Sequence, residues 1–496
     1  MPAIALARPA RWLAPGLIFI ALVVAVIGSL GAPLITSVAT GYRVSLASAQ
    51  WTLTLPLLTG AIAAPVLGRL GAGAHRRAAV LATLIVVVAG SLLTVLASTA
   101  GPAGPAGFGL LLLGRGGQGI GLGLTPLVIG IARDHLTNDR IAHDRPGLGS
   151  ATSAIAQISV ASTVGIGVGY PVAGWLTDLA GVRAAYLLGL ALTVAALLVG
   201  WLLVPASPSG RAARLDLTGA SWLAAGLLLL LLMISQNQWW RDRPVVATGG
   251  LIVALLLLAG WAARQWRQPE PLLDLRLLRQ PTMLGANASM LLGGVGMYLL
   301  VTLITRFVQS PDQAGYGFGF STFQAGLVLV PFSALGFLAG RLTPRLNQRV
   351  NPIASLAVSS IVVLLAFVLF ATARSSWYLP VLAMAVLGYG VGSFSAAMPA
   401  VILPVTAAAE TSAAMAANQV VRSVGFSIGS AVGGLILAAN TGAGRRFPAE
   451  HGYVVAAWLG AVIMLATAAL VAVTGRGGAA RTDGQCLAPA TNRGQH

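Results

Sequence analysis

Residues 110–135 read LLLLGRGGQGIGLGLTPLVIGIARDH. From Ala106 to Ala132 this is an apolar helix pattern long enough to cross a bilayer, yet it carries Arg115 and Gln118 among six glycines between 114 and 123. An arginine in the middle of such a span costs about 2.5–3.5 kcal/mol on insertion scales. It is therefore expected to face a bundle interior or a water-filled path and not lipid. A charged loop, Arg133-Asp134-His135 on to Arg145, follows. A second apolar run from Gly149 to Trp175 then carries Gly165, Gly167, Gly169, Pro171 and Gly174.

The same pattern extends to both ends of the chain. Of 496 residues, 57% are hydrophobic and 8% charged, and the mean hydropathy is +0.85. That charge content is too low to cover a soluble protein of this length. Apolar runs of about 20 residues, the length that crosses a hydrocarbon layer, recur throughout. The alternating ten-residue segments of a β-barrel do not. The reading is an all-α polytopic membrane protein. The net charge of +18 comes entirely from arginine, and these residues cluster in short loops on alternate sides of the spans. They read as topology determinants and not as a nucleic-acid surface. The single Cys486 excludes a disulfide framework, and no metal-ligand spacing, phosphate loop or catalytic triad is found. No enzyme, cofactor or metal is expected.

Spans are predicted near 13–38, 47–67, 78–98, 106–132, 149–175, 183–204, 217–237, 245–266, 282–308, 321–341, 353–373, 377–402, 412–438 and 452–474, fourteen in all. The first of these is too long for a cleaved signal. An even number puts both termini on one side, and twenty arginines fall on that side against seven on the other, so both ends are expected in the cytoplasm. Arg115, Arg306 and Arg422 remain inside spans. Glu270 to Arg279 is a short amphipathic linker, expected along the interface, and 475–496 is expected to be a disordered tail.

The chain also repeats. Gly68-Arg69-Leu70 ends the second span and Gly340-Arg341-Leu342 the tenth. Gly165, Gly169 and Gly174 have the spacing of Gly425, Gly429 and Gly434, and Gly114 to Pro126 echoes Gly388 to Pro399. Setting two spans aside gives six plus two plus six. The expected units are a six-helix bundle over 1–204, an added pair with its linker over 205–280, a second bundle over 281–474 and the tail.

With these motifs in order, the chain resembles the major facilitator superfamily, and within it the fourteen-span drug:proton antiporter branch. The resemblance runs from about Pro33 to Thr474. Gly68-Arg69-Leu70 with Arg76 and Arg77 resembles the family's cytoplasmic loop motif, which implies a conformational latch. Ala72 stands where the family has an acid, and Asp134 is a substitute. Arg115-Gly-Gly-Gln118-Gly resembles the fourth-span motif, whose arginine the family associates with proton coupling. Gly165, Gly169, Pro171 and Gly174 resemble the antiporters' fifth-span motif, which implies a tightly packed hinge with a kink at the proline. Asn418, Gln419 and Arg422 are close to a polar-plus-arginine signature of the branch.

Polar and aromatic side chains at span depth are the candidates for lining a substrate cavity: Gln118, Gln157, Asn287, Tyr298, Arg306, Tyr389, Phe394, Asn418, Gln419 and Arg422. Phe332, Phe337, Met384 and Met398 could add an adaptable apolar wall. No acid lies in mid-span. Beside Arg115, the proton-coupling candidates are Asp178, Asp134 and Glu410, though Asp178 could simply pair with Arg183 and Glu410 could serve a helix N-terminus. The function the resemblance implies is secondary active export of hydrophobic or amphipathic small molecules from the inner membrane. It would be driven by proton exchange and carried out by a monomer through alternating access. The alternatives are uptake or facilitated transport of an organic solute or lipid in the same fold, and a membrane-embedded sensor or enzyme with no transport cycle.

Overall fold

The computed structural model describes residues 12–30, 34–44, 46–49, 51–71, 75–99, 104–142, 148–206, 216–235, 237–269, 271, 275–276, 279–442 and 447–486. In order, the helices are α1 (Leu13–Ser29), α2 (Ile35–Tyr42), α3 (Leu46–Ala49), α4 (Trp51–Gly71), α5 (Arg76–Thr99), α6 (Gly104–Ile120), α7 (Leu124–Ala142), α8 (Leu148–Val164), α9 (Ile166–Ala180) and α10 (Val182–Leu203). Then come α11 (Leu217–Ser235), α12 (Asn237–Asp242), α13 (Pro244–Arg267), α14 (Pro281–Gln309), α15 (Thr322–Arg349), α16 (Pro352–Thr372), α17 (Tyr378–Ile402), α18 (Thr411–Ala439) and α19 (Glu450–Cys486). The described residues form no strand. Ten of these helices are long and apolar enough to cross a membrane, eleven if α8 and α9 count as one bent span.

Three predicted spans are broken, each for a local reason. The first stops at Ser29 instead of running to residue 38, where Gly28-Ser29-Leu30-Gly31-Ala32-Pro33 is poor helix sequence. The fourth is split by a 3-10 turn at Gly121–Gly123, just ahead of Pro126, which has no N–H to continue the ladder. The fifth bends by 41° at Gly165 and not at Pro171, which sits inside α9. The tail also departs from expectation. Helix α19 runs on to Cys486, because adding residues to a formed helix needs no new nucleus. Residues 487–496, and much of the linker Glu270 to Arg279, lie outside the described residues.

The packing of the first set of helices recurs in the last set. Helix α1 packs on α8 and α10, α4 on α6, and α5 on α6 and α10. Likewise α14 packs on α18 and α19, α15 on α17, and α16 on α17 and α19. The two sets meet where α4 and α7 touch α18, α8 touches α15 and α17, and α9 touches α15. The two Gly-Arg-Leu repeats occupy matching places in this seam. A Cβ on Gly68 would lie 2.7 Å from the Ala416 side chain of α18, and one on Gly340 would lie 2.9 Å from Val160 of α8. Helices α11 and α13 pack on each other, and α11 lies over the α4–α18 contact, where Leu223, Leu227 and Trp261 join Ala64, Ala416 and Ala417.

Within the second set, the tightest crossing is that of α15 with α17. A Cβ on Gly388 would sit 2.1 Å from the Phe332 carbonyl oxygen, and one on Gly392 would sit 2.3 Å from that of Gly336. Backbone cannot swing aside as a side chain can, so the helices would have to separate. Gly388→Ala is expected to destabilise the purified protein by about 2–3 kcal/mol, the upper range for overpacking. The unfolding midpoint in detergent measures it, and a midpoint equal to wild type would mean that the crossing is looser than described.

Candidate functional site: the seam between the two helix sets

Arg422 lies on α18 at the centre of the seam and is only 8% exposed. Its Nη1 donates to Thr163 Oγ1 of α8 at 2.5 Å, and its Nη2 donates to Gln419 Oε1 one turn back. Thr163 also accepts from Ser395 Oγ of α17 at 3.3 Å. At the next residue of α8, the Val164 carbonyl accepts from Ser333 Oγ of α15 at 3.0 Å. Helix α8 is thus tied to three helices of the other set by hydrogen bonds that a relative movement of the sets must break. Asn418 Nδ2 donates to Asn287 Oδ1 at 3.2 Å, which fixes both buried amides between α18 and α14.

Two narrow cavities flank this arginine. One, of about 20 Å³, is lined by Thr125, Pro126 and Ile129 of α7, Ser159 and Ser162 of α8, Met290, Ser395, Met398 and Pro399, and by Met415, Asn418, Gln419 and Arg422 of α18. The other, of about 30 Å³, is lined by Thr163, Met297, Tyr298, Val301, Leu329, Phe332, Val391 and Phe426. Tyr298 and Phe426 stack with centroids 5.2 Å apart, and the Arg422 guanidinium lies 6.0 Å from the Phe426 ring. Both are far below the roughly 300–1,000 Å³ of a small-molecule pocket, so binding a drug-sized molecule requires the two sets to spread.

Arg115 is placed differently. It is fully buried within the first helix set and lines neither cavity. Its Nε donates to the Thr52 carbonyl at 2.8 Å, Nη1 to the Ile27 carbonyl at 2.9 Å and to Gln118 Oε1 at 2.6 Å, and Nη2 to the Gly28 carbonyl at 2.9 Å. These carbonyls are available for local reasons. Ile27 and Gly28 are in the last turn of α1, at the negative end of the helix dipole; the Ile27 carbonyl takes only a long bond from the Leu30 N–H at 3.3 Å, which leaves room for the guanidinium. Thr52 would bond to the N–H of residue 56, which is proline. Gln118 passes the network on to Ser91 and Thr94 of α5, at 3.1 and 3.3 Å. Every partner is neutral, so this arginine joins α1, α4, α5 and α6 and touches no carboxylate.

One end of the seam is held shut by a residue that the motif reading did not select. Arg133, midway along α7, donates from Nη1 to the Thr406 carbonyl at 3.1 Å and to Thr411 Oγ1 at 2.5 Å, and from Nη2 to the Leu403 carbonyl at 3.2 Å. These are carbonyls just beyond α17, with the hydroxyl at the start of α18. Beside it, Ser412 is buried against Gly71 and Gly130. Among the expected latch residues, Gly68 makes the close approach to α18, but Arg76 and Arg77 stay within their own set. Arg76 pairs with Asp134, and Arg77 donates to the Trp201 carbonyl at 2.9 Å. Arg69 is half-buried at the end of α4. Asp134 therefore does meet the loop motif, as an intra-set tie between α5 and α7, while its neighbour Arg133 crosses the seam.

The remaining candidates divide. Gln419, Asn418 and Tyr298 line the cavities, and Asn287 braces them from behind. Arg306 is exposed near the end of α14, because its position there turns it away from the seam. Phe394 is fully buried and packs towards Gly293 of α14, Tyr389 is half-buried on the same helix, and neither lines a cavity. Gln157 is half-buried and donates to Ser153 Oγ one turn back. Asp178 is exposed and makes no ion pair with Arg183, and Glu410 occupies the position before α18. In the fifth span, Gly165 and Gly169 pack against α1, whereas Gly167, Pro171 and Gly174 pack against α15. The serines and threonines of α8, among them Ser159, Ser162 and Thr163, were not singled out from the sequence. Their spacing on one helix beside the glycine run is the signal that could have found them.

Comparison with known proteins agrees with this geometry. The Major Facilitator Superfamily profile matches residues 17–384. A multidrug resistance protein B homolog of Mycobacterium tuberculosis is 25% identical over 441 residues, covering 87% of this chain and 73% of the relative. The methylenomycin A resistance protein of Bacillus subtilis is 28% identical over 335 residues, covering 66% of this chain and 68% of the relative. Among solved structures, the human organic anion transporter MFSD10 superposes with a TM-score of 0.63 at 15% identity, covering 93% of this chain and 99% of that one, a likeness of fold alone. The paired helix sets, the buried arginine at their seam and the match over most of the length lead to one conclusion: this chain belongs to the major facilitator superfamily of membrane transporters.

Proposed function

We propose that the protein exports hydrophobic or amphipathic small molecules across the inner membrane by rocking its two helix sets about the Arg422 cavity. The observation that carries this reading is the placement of Arg422. It is a buried cation on one set, hydrogen-bonded to Thr163 of the other, in a cavity at the seam that Arg133 also bridges. The multidrug resistance relatives favour drug-like cargo. A fourteen-span arrangement is supported by adding α1 and α11, which are apolar but short, and the broken α6–α7 pair to the eleven spans counted by length. The recurring packing supports bundles over 1–204 and 281–474, with α11 and α13 as the inserted pair. The arginine distribution supports cytoplasmic termini. Because the cavity is built within one chain, a monomer suffices.

Proton antiport is the driving force that the drug-exporter resemblance suggests, with Asp134, Asp178 and Glu410 as its carboxylates and Arg115 as the family's coupling arginine. A second reading, facilitated or potential-driven movement without proton exchange, is favoured by the cavity linings, which contain no acid among the described residues. Reconstitution in liposomes with a panel of fluorescent drugs distinguishes them. Accumulation abolished by a protonophore supports antiport. Accumulation that survives a collapsed pH gradient but not a collapsed potential supports the second reading. No gradient-dependent movement of any compound would end the transport proposal.

A further inference from the structure

The charge balance of the Arg422 cavity specifies more than an apolar cargo. Among the described residues two span arginines are buried, and they are treated in opposite ways. Arg115 is sealed in by four acceptors, three of them backbone carbonyls. Arg422 commits donors to one hydroxyl and one amide oxygen, both neutral, and lines the first cavity, while neither that cavity nor the neighbouring one is lined by a carboxylate. A guanidinium has five N–H donors in a planar fork suited to a carboxylate or similar group. A second polar group points to the same vacancy of charge: Ser159 Oγ lines this cavity, its residue is only 5% exposed, and it has no hydrogen-bond partner. Leaving such a hydroxyl and such a cation unmatched in low dielectric is unfavourable. Next to them the Tyr298–Phe426 stack and Phe332 provide a flat apolar wall.

We infer that the preferred cargo is an amphipathic organic anion, with a flat apolar body against the Tyr298–Phe426 wall and a carboxylate or sulfonate on Arg422 and Ser159. This deepens the export reading and rests on it. A cationic solute placed in the same cavity would meet Arg422 with no acid to offset the repulsion, which is discrimination by an unfavourable contact as well as a favourable one. The loaded cavity is neutral and the empty one positive. An inside-negative potential therefore favours return of the empty, cytoplasm-facing form, the direction an exporter needs.

The test uses the full chain in liposomes and three probes with one ring system: 1-naphthoate, 1-naphthylmethanol and 1-naphthylmethylammonium. Wild type is expected to move the anion at least tenfold faster than the cation, with the alcohol between them. Arg422→Gln should lower the ratio of naphthoate to alcohol transport at least tenfold, whatever it does to the overall rate. Arg422→Lys, which keeps the charge and loses the fork, should recover part of the loss, and Ser159→Ala should weaken naphthoate several-fold. The wild-type comparison stands even if a variant fails to fold. Equal or faster movement of the cation by wild type would overturn the inference while export itself stands. Movement of the drug panel but of none of the three probes would do the same. If nothing moves, the export reading fails and takes this inference with it.

Discussion

Arg115→Ala is expected to unfold a large fraction of the purified protein, lowering its stability by about 2–4 kcal/mol, even though the substitution removes a charge from a membrane interior. Removing the cation relieves its own desolvation, but the groups it served are left behind. Three carbonyls and Gln118 Oε1 lose their donor in a site with no exposure, and the helices they belong to, α1, α4 and α6, lose their common tie. Each buried acceptor left unmatched costs about 1–3 kcal/mol, reduced in a bilayer because the disordered state also finds partners. Arg115→Lys is expected to recover little, since one ammonium cannot reach carbonyls on two helices and an amide on a third. The unfolding midpoint and the monodisperse fraction on size exclusion measure this. A variant as stable as wild type that had lost transport alone would return Arg115 to the coupling role that its motif suggests.

Arg133→Ala is expected to act on conformation instead. Its three bonds to Leu403, Thr406 and Thr411 join α7 to the turn between α17 and α18. Charge-assisted bonds of this kind are worth about 1.5–3 kcal/mol each when buried, and about 1 kcal/mol each at this half-buried end. Their loss shifts the closed form by about 2–3 kcal/mol, a factor of roughly 30 to 150. Ser412 reports on it, being sealed between Gly71 and Gly130 in the closed form. In a Cys486→Ser background, maleimide labelling of Ser412→Cys is expected to rise ten- to a hundredfold when Arg133→Ala is added. An unchanged labelling rate would show that the seam is held by helix packing and not by this arginine.

These two residues also show where sequence reading stops. Arg115 stands out in the sequence by its cost, and its motif points to proton coupling. Its partners, however, are carbonyls about sixty to ninety positions away, freed by Pro56 and by the early end of α1. No spacing rule links a proline in one span to an arginine in another. Arg133 is hidden for the opposite reason. At the edge of a charged loop it looks like one more topology determinant, and only the turn after α17 gives it a task. Arg306 and Arg422 look alike in sequence, each a lone arginine in an apolar run. One is exposed and the other is at the seam, because helix rotation decides which way each points.

The sequence by itself determined that the chain is helical, that it belongs in a membrane and that its halves repeat. Run length, charge content and glycine spacing are local quantities, and a bilayer leaves an apolar backbone few other ways to satisfy its polar groups. Only the tertiary structure decided which buried arginine is sealed by carbonyls and which faces the cavity, and which residue bridges the sets. Those outcomes depend on donors and acceptors brought together from distant segments, and a hydrogen bond discriminates over tenths of an ångström that no periodicity records.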